Sequence, residues 1–279
     1  MSWELTDDVE RFAATAGEFL RSRPVPHTTL LTLVDTLRRR GLQTYGSDAP
    51  VFGWWRTPSG AVGGVLLHTP PHPMIFSEIP PEAIPAAVAA VAGRPPSAVN
   101  LLAGTAEVFA QQWRQCTGAT ATVSYQTRLH RLDTLIPPAV PPPGAARPAG
   151  AGDRERLLRW FDAFFDDIDE DHPNTAESVD DRLAYDGVTL WESGGAPVSM
   201  AVRSRSTAGM IRVQYVYTPP ELRGNGYAGA ATAAATREAL AAGARDVVLH
   251  TDLANPVSNR IYRKLGYQPV EDRTVVELA

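Results

Sequence analysis

The chain has 279 residues, of which 44% are hydrophobic, and a net charge of −5 at pH 7. This length suits one large domain or two small ones with a buried core. The small net negative charge excludes the class of nucleic-acid binders that depend on a basic surface. No run approaches the roughly 18 apolar residues that span a bilayer, so we expect no membrane partner and a cytoplasmic protein.

The single cysteine, Cys116, excludes an internal disulfide framework and a cysteine-rich metal site. We expect Cys116 to be a small buried hydrophobe and not a nucleophile.

The first half of the chain is predicted to contain both helices and strands. Apolar residues at helical spacing indicate helices, and short apolar runs between turn residues indicate strands. The expected elements are helices over 7–20, 28–40, 82–91 and 105–115, and strands over 51–56, 61–68, 74–79, 99–103 and 121–132. Trp54 and Trp55 lie on the first of these strands, either as core residues or as the lining of a cleft.

A proline-rich segment, "LIPPAVPPPGAARPAGAG" (135–152), divides the chain into halves of similar length. Its six prolines, with glycine and alanine, exclude a helix or a central strand and favour an extended chain. We therefore expect two domains, 1–136 and 153–279, joined by a linker over 137–152.

The second half repeats the order of elements predicted for the first. Asp153 is expected to cap a first helix, and Gly194-Gly195 to form the turn of a hairpin. The expected elements are two helices (from 153, and 176–184), strands over 188–193, 196–203, 210–217 and 247–251, helices over 227–242 and 256–265, and a closing strand. The shared order indicates an α/β fold built by structural duplication.

The stretch "RGNGYAG" (223–229) follows a predicted strand, opens a predicted helix and fits the dinucleotide-binding pattern G-x-G-x-x-G. A dinucleotide fold needs this loop near its beginning, and too few residues follow Asp252 to complete a doubly wound sheet. Gly224 and Gly226 allow a tight turn, and Tyr227 would begin a helix whose unpaired N–H groups favour an anion. The loop is therefore predicted to bind a phosphate-bearing ligand, and a nicotinamide enzyme is the least favoured class.

Two longer stretches carry a resemblance to a known family. "VYTPPELRGNGYA" (216–228) resembles motif A of the GNAT superfamily of acyl-CoA-dependent acyltransferases, through Arg223, Gly226 and Ala228. "NPVSNRIYRKLGYQPV" (255–270) resembles motif B of the same family. The resemblance implies two tandem GNAT-like halves, each a central mixed β-sheet flanked by helices. The corresponding stretch of the first half, "SEIPPEAIPAAV", has no glycine, so that half is expected to be degenerate.

The resemblance also implies residue roles and a coenzyme. Acetyl-CoA would be the co-substrate, with no metal. Its expected contacts are Val216, Tyr217, Thr218, Arg223, Gly224, Asn225, Gly226, Tyr227, Ala228 and Asn255. Asn255 is either a helix cap alone or also a coenzyme contact. Tyr262 is expected to protonate the departing thiolate; the opposing interpretation is that it packs against Leu265 as core. Tyr267 is expected to be core.

The sequence identifies neither a general base nor the acceptor. The strand "IRVQYVYT" contains no carboxylate, Glu221 is expected to be solvated, and His250 is expected to be structural. A run of carboxylates after the first helix of the second half is either a solvated face or attracts a cationic amine. Its members are Asp166, Asp167, Asp169, Glu170 and Asp171. The resemblance as a whole implies an N-acetyltransferase that transfers the acetyl group directly to a small-molecule amine or a lysine side chain. The alternative is a non-catalytic CoA-binding regulatory module.

Overall fold

The computed structural model describes residues 2–168 and 175–279, which form two compact units with an α/β architecture. The first unit contains the chain up to Leu129 together with Asp252–Ala254 and Val270–Ala279. The second contains His130–Thr251 and Asn255–Pro269. The proline-rich segment thus belongs to the second unit, and the last ten residues of the chain belong to the first.

The elements up to residue 132 are a strand, two helices, three strands and a 3-10 turn, followed by two helix–strand pairs. They are β1 (Trp3–Thr6), α1 (Val9–Ser22), α2 (Thr28–Arg40), β2 (Val51–Arg56), β3 (Val62–His68), β4 (Met74–Phe76), a short 3-10 helix (Pro81–Ala83), α3 (Ile84–Ala92), β5 (Ala98–Leu102), α4 (Ala103–Thr117) and β6 (Ala121–Leu132). Within the first unit, β1 to β5 lie side by side in chain order, and only β4 and β5 pair in parallel.

The elements after residue 132 repeat this order. They are β7 (Ala145–Pro148), a short 3-10 helix (Ala151–Asp153), α5 (Arg154–Asp167), α6 (Thr175–Leu183), β8 (Val188–Ser193), β9 (Ala196–Arg203), β10 (Met210–Tyr217), a short 3-10 helix (Pro220–Leu222), α7 (Tyr227–Ala241), β11 (Asp246–Asp252), α8 (Pro256–Lys264) and β12 (Tyr267–Leu278). Strands β7 to β11 lie side by side, and β10 and β11 pair in parallel. The predicted α/β class, with two halves of mixed sheet and helices, is confirmed.

The core of the first unit packs α3 and α4 against the sheet. Phe76, Phe109 and Trp113 are among its buried members, and Phe109 stacks on Trp113 with ring centroids 6.4 Å apart. Trp54 and Trp55 are each 1% exposed, so both are core residues. Because indole rings bury a large apolar area, they anchor β2 within the unit.

The expectation that Cys116 is buried is wrong, because the structure exposes it. Cys116 lies in the last turn of α4, just before the left-handed Gly118 that ends the helix. Trp113 is the last buried residue of α4, so the thiol lies beyond the part of the helix that packs on the sheet.

The core of the second unit depends on the alanine-rich helix α7. Ala231, Ala235 and Ala239 are fully buried. Small side chains on one helix face allow the helix axis to approach the sheet closely, which explains the composition. On the other face of the sheet, α5 packs through Leu157 and Phe161.

The turns of the second unit follow the glycines, with one correction at a helix start. Gly194 (φ 60°) and Gly195 (φ 78°) form the hairpin turn between β8 and β9, as predicted. Asp153 does precede α5, but its carboxylate makes no capping bond to that helix. It accepts instead from Gly150 N–H at 2.9 Å and from the Arg147 guanidinium at 2.7 Å. The nearby cation and the preceding amide therefore replace the expected cap.

Among the described helices, none combines the length and the apolar character that a membrane crossing would require.

Candidate active site

Strand β10 contains a β-bulge at Tyr215 and Val216. Gln214 lies opposite Val202 and Tyr217 opposite Met200, so two residues of β10 face one residue of β9. Tyr215 has a left-handed φ of 48°, which is uncommon for a residue with a side chain. The register with β11 runs from Met210↔Asp246 to Arg212↔Val248 and ends there. Beyond Arg212, the β11-facing edge of β10 is therefore outside the ladder, and its backbone could pair with an extended ligand.

The chain leaves β10 through an exposed loop that needs glycine at two positions. Gly224 and Gly226 have φ values of 84° and 81°, in the left-handed region that residues with a Cβ rarely adopt. The Asn225 side-chain amide donates to Leu222 O at 3.0 Å, which holds the loop on the preceding 3-10 turn. The glycines predicted to allow the tight turn therefore do so.

The loop ends at the N-terminus of α7. The first bond of the helix runs from Ala230 N–H to Gly226 O at 3.1 Å. The N–H groups of Tyr227, Ala228 and Gly229 are consequently not used by the helix. Such unpaired donors, together with the positive end of the helix dipole, form an anion site without any charged side chain.

Arg223 ties the loop to the rest of the second unit. Its Nε–H donates to Thr218 O at 3.0 Å, and its guanidinium forms an ion pair with Asp167 at the end of α5. Thr218 is itself buried, with Oγ1 at 2.9 Å from Ser199 Oγ. Both side chains are close to half exposed, so this ion pair positions the loop but contributes little to folding.

The predicted acidic run is only partly described. Asp167 pairs with Arg223, and Asp166 is exposed. Asp169, Glu170 and Asp171 lie outside the described residues.

Helix α8 lies beside the start of α7. Asn255 is its N-cap and accepts the Ser258 N–H at 3.1 Å, so the capping role is present. A Cβ added at Gly229 would lie 3.6 Å from Ile261 Cγ2. This contact places Tyr262, the next residue of α8, close to the N-terminal turn of α7.

Two tyrosines of this region differ in their surroundings. The rings of Tyr262 and Tyr267 meet edge to face, with centroids 6.2 Å apart. Tyr267 is fully buried, as predicted, and its hydroxyl lies 2.7 Å from Thr236 Oγ1. The Tyr262 hydroxyl has no hydrogen-bond partner within 2–168 and 175–279. Burial among apolar side chains raises the pKa of Tyr262 above its ordinary value, so its phenol stays protonated.

Comparison with known proteins identifies this region. Residues 154–267 match the family model described as "Acetyltransferase (GNAT) family". The stretch that matches this model, residues 154–267, is called the GNAT domain below. The match includes the loop, α7, α8 and the bulged strand. A search of curated protein sequences finds no match to the chain.

Solved structures resemble the fold of this chain over most or all of its length. A GCN5-related N-acetyltransferase from Sphaerobacter thermophilus matches with a TM-score of 0.64 and 14% identity, covering 98% of this chain and 94% of its own. One from Kribbella flavida matches at 0.56 and 20%, covering 89% and 95%. A tandem GNAT protein from the clavulanic acid biosynthesis pathway matches at 0.57 and 12%, covering 100% and 98%. At these identities the likeness concerns the fold alone.

Strand β10 itself offers no general base, and the candidates near it lie on other elements. The half-buried side chains of Arg212 and Gln214 lie on β10, which has no carboxylate. Glu221 is exposed, and His250 on β11 is half-buried. Within the described parts of the chain, no three His, Cys, Asp or Glu side chains are grouped as metal ligands would be.

Two features of the GNAT domain were not predicted. The left-handed Tyr215 has no sequence signature, because aromatic residues ordinarily indicate extended strand. Arg182 on α6 lies over the Tyr215 ring, with Cζ 5.0 Å from the ring centroid. This contact joins elements far apart in sequence, so no local pattern could have indicated it.

Proposed function

We propose that the GNAT domain transfers an acetyl group from acetyl-CoA to a primary amine by direct attack of the amine on the thioester. Acetyl is chosen because it is the commonest acyl group in the family. The whole chain would be a tandem GNAT protein, with residues 1–136 as a degenerate half, 137–152 as the connecting segment and 153–279 as the half that binds the coenzyme.

The observation that carries the proposal is the loop from Arg223 to Ala228. Its two left-handed glycines expose backbone N–H groups next to a helix N-terminus. A pyrophosphate is the anion that such an extended cradle fits. The unpaired edge of β10 at Val216–Thr218 would accept the pantetheine arm as an added strand, which directs the thioester toward the bulge.

Tyr262 would complete the reaction as general acid. The amine nitrogen forms a bond to the carbonyl carbon, and the carbon–sulfur bond breaks. The Tyr262 phenol gives its proton to the departing sulfur, and the proton lost by the amine passes to water, from which the phenolate is reprotonated. The Tyr262 phenol is protonated at neutral pH, as a proton donor to the departing thiolate must be.

One observation favours a second candidate, a non-catalytic CoA-binding module. Strand β10 carries no carboxylate that could take the proton of the amine. The two candidates share the coenzyme site and differ only in turnover.

Release of free CoA thiol separates the two candidates. Purified protein is incubated with acetyl-CoA and a panel of amines, and CoA release is followed against a matched sample without amine. Amine-dependent release supports the acetyltransferase. Binding of acetyl-CoA without amine-dependent release from any member of the panel supports the module instead.

A further inference from the structure

Arg182 occupies the last turn of α6 with its charge directed into an aromatic cluster. Its Cζ lies 5.0 Å from the Tyr215 ring centroid and 5.5 Å from that of Phe161. Its Nη1 donates to Ser178 O at 2.7 Å and also bonds Ser178 Oγ. The guanidinium is therefore held in one place by α6 and by two rings.

The arginines around Arg182 pair with carboxylates, whereas Arg182 pairs with none among the described residues. Arg205 pairs with Asp181 at 3.0 Å, and Arg203 pairs with Glu238 at 3.0 Å. Across 2–168 and 175–279, no carboxylate lies within ion-pair distance of Arg182, and its Nη2 donates to no acceptor. Its Nε is buried and also unpartnered. A half-buried guanidinium with Nη2 unused by the described residues can bind a carboxylate through a charge-assisted hydrogen bond.

Arg182 lies beside the bulge of β10, toward which the thioester is proposed to be directed. Tyr215, which it contacts, is the left-handed residue of the β10 bulge and precedes Val216, a proposed coenzyme contact. Phe164 meets Tyr215 edge to face at 5.5 Å. Arg182, Phe164 and Tyr215 are all only partly buried, and the contacts between them bring one cation and two aromatic rings together beside the bulge.

We propose that Arg182 binds the carboxylate of the acceptor, which makes the acceptor an amino-carboxylic acid whose apolar part lies against Tyr215 and Phe164. This inference rests on the proposed acetyltransferase function. The sequence left open whether the acidic run attracts a cationic amine. The charge of Arg182 beside the bulge instead favours a molecule that carries a negative group as well as its amine.

The test compares matched acceptors that carry a carboxylate or the corresponding amide. CoA release is measured with free amino acids, β-alanine and γ-aminobutyrate, and with the corresponding amides. We expect kcat/KM for at least one acid to exceed that for its amide by about tenfold or more. Arg182→Gln should lower kcat/KM for the acid by about tenfold and leave the amide within about twofold, while Arg182→Lys should keep part of the preference. Arg237→Gln, a change at an exposed arginine of α7, is the control and should alter neither.

Several outcomes would overturn the inference: equal use of acid and amide by the unchanged protein, equal loss of both in Arg182→Gln, or acetylation of none of the acids. A melting-temperature shift with acetyl-CoA is measured in parallel. If acetyl-CoA binds and only amines without a carboxylate react, the inference fails and the proposed function stands. If acetyl-CoA does not bind, the proposed function itself fails. Should Arg182→Gln not fold, the acid and amide comparison in the unchanged protein and in Arg182→Lys decides.

Discussion

The two units begin their corresponding helices, α3 and α7, in different ways. In the first unit, the 3-10 turn Pro81–Ala83 passes directly into α3, and Ala83 and Ile84 are fully buried. In the second unit, the 3-10 turn Pro220–Leu222 is followed by four exposed residues, 223–226, before α7 begins. A few additional residues with two glycines thus convert a buried helix start into an open array of N–H groups.

The ends of the parallel strand pairs also differ between the two units, β4 with β5 in the first and β10 with β11 in the second. In the first unit, the register of β4 with β5 ends at Ile75↔Asn100, and the buried Arg273 lies beyond it. Its guanidinium bonds Phe76 O, Asn100 Oδ1 at 2.7 Å and Asn100 O at 3.1 Å. In the second unit, the corresponding edge of β10 beyond Arg212 is outside the ladder with β11. One unit thus satisfies this edge with a buried arginine, while in the other the edge lies outside the ladder.

Removal of Arg273 should have the largest effect on folding. Arg273→Met leaves Phe76 O, Asn100 and Glu271 without their buried partner, and breaking such a pair costs about 3–5 kcal/mol. Arg56→Met is the control, because Arg56 pairs with Glu4 at the surface and its loss should cost under about 1 kcal/mol. Urea denaturation gives both free energies of unfolding. Equal losses would show that Arg273 does not stabilise the end of β4.

The tyrosine pair allows catalysis to be separated from stability. Tyr262→Phe should lower kcat by about tenfold or more while acetyl-CoA binding and folding persist, because the hydroxyl it removes has no partner in the described chain. Tyr267→Phe removes the bond to Thr236 and should cost about 1 kcal/mol of unfolding free energy with kcat unchanged.

The pH dependence of kcat sharpens the role of Tyr262. Since burial raises the pKa of Tyr262, the phenol stays protonated as the pH rises, and its deprotonation should not lower kcat below about pH 10. An unchanged kcat in Tyr262→Phe would remove Tyr262 as the acid.

Substitution of two glycines with the same backbone conformation distinguishes a loss of stability from a loss of coenzyme binding. Gly224 and Gly60 have φ values of 84° and 85°, and a Cβ added at either would meet no atom within 4 Å. Gly224→Ala and Gly60→Ala should therefore each lose about 1 kcal/mol of unfolding free energy. Only Gly224→Ala should also weaken acetyl-CoA binding, by about tenfold. Titration calorimetry measures the binding, and equal affinities of the two variants would contradict the placement of the coenzyme.

Features with local causes were predictable from the sequence. Helices α5, α7 and α8, the Gly194-Gly195 hairpin and the loop at Gly224 and Gly226 follow from periodicity and from the conformational freedom of glycine. The coenzyme contacts and the role of Tyr262 remain predictions.

What the sequence could not predict depends on neighbours distant in sequence. Strands β1 and β7 have four residues each, too few for a periodic signal, and were not predicted. Three further features depend on how elements pack together in the fold. They are the exposure of Cys116, the Asp153–Arg147 ion pair and the contact of Arg182 with Tyr215. Local propensity does not contain that information.

The melting temperature with saturating acetyl-CoA, free CoA or NADH tests most directly whether the loop from Arg223 to Ala228 binds coenzyme A. A ligand at about 100 times its dissociation constant adds about 2.7 kcal/mol to the unfolding free energy when it binds only the folded state. We predict a clear increase with both CoA compounds, a smaller one in Gly224→Ala and none with NADH. An increase with NADH alone, or none with any of the three, would contradict the assignment of the loop to coenzyme A.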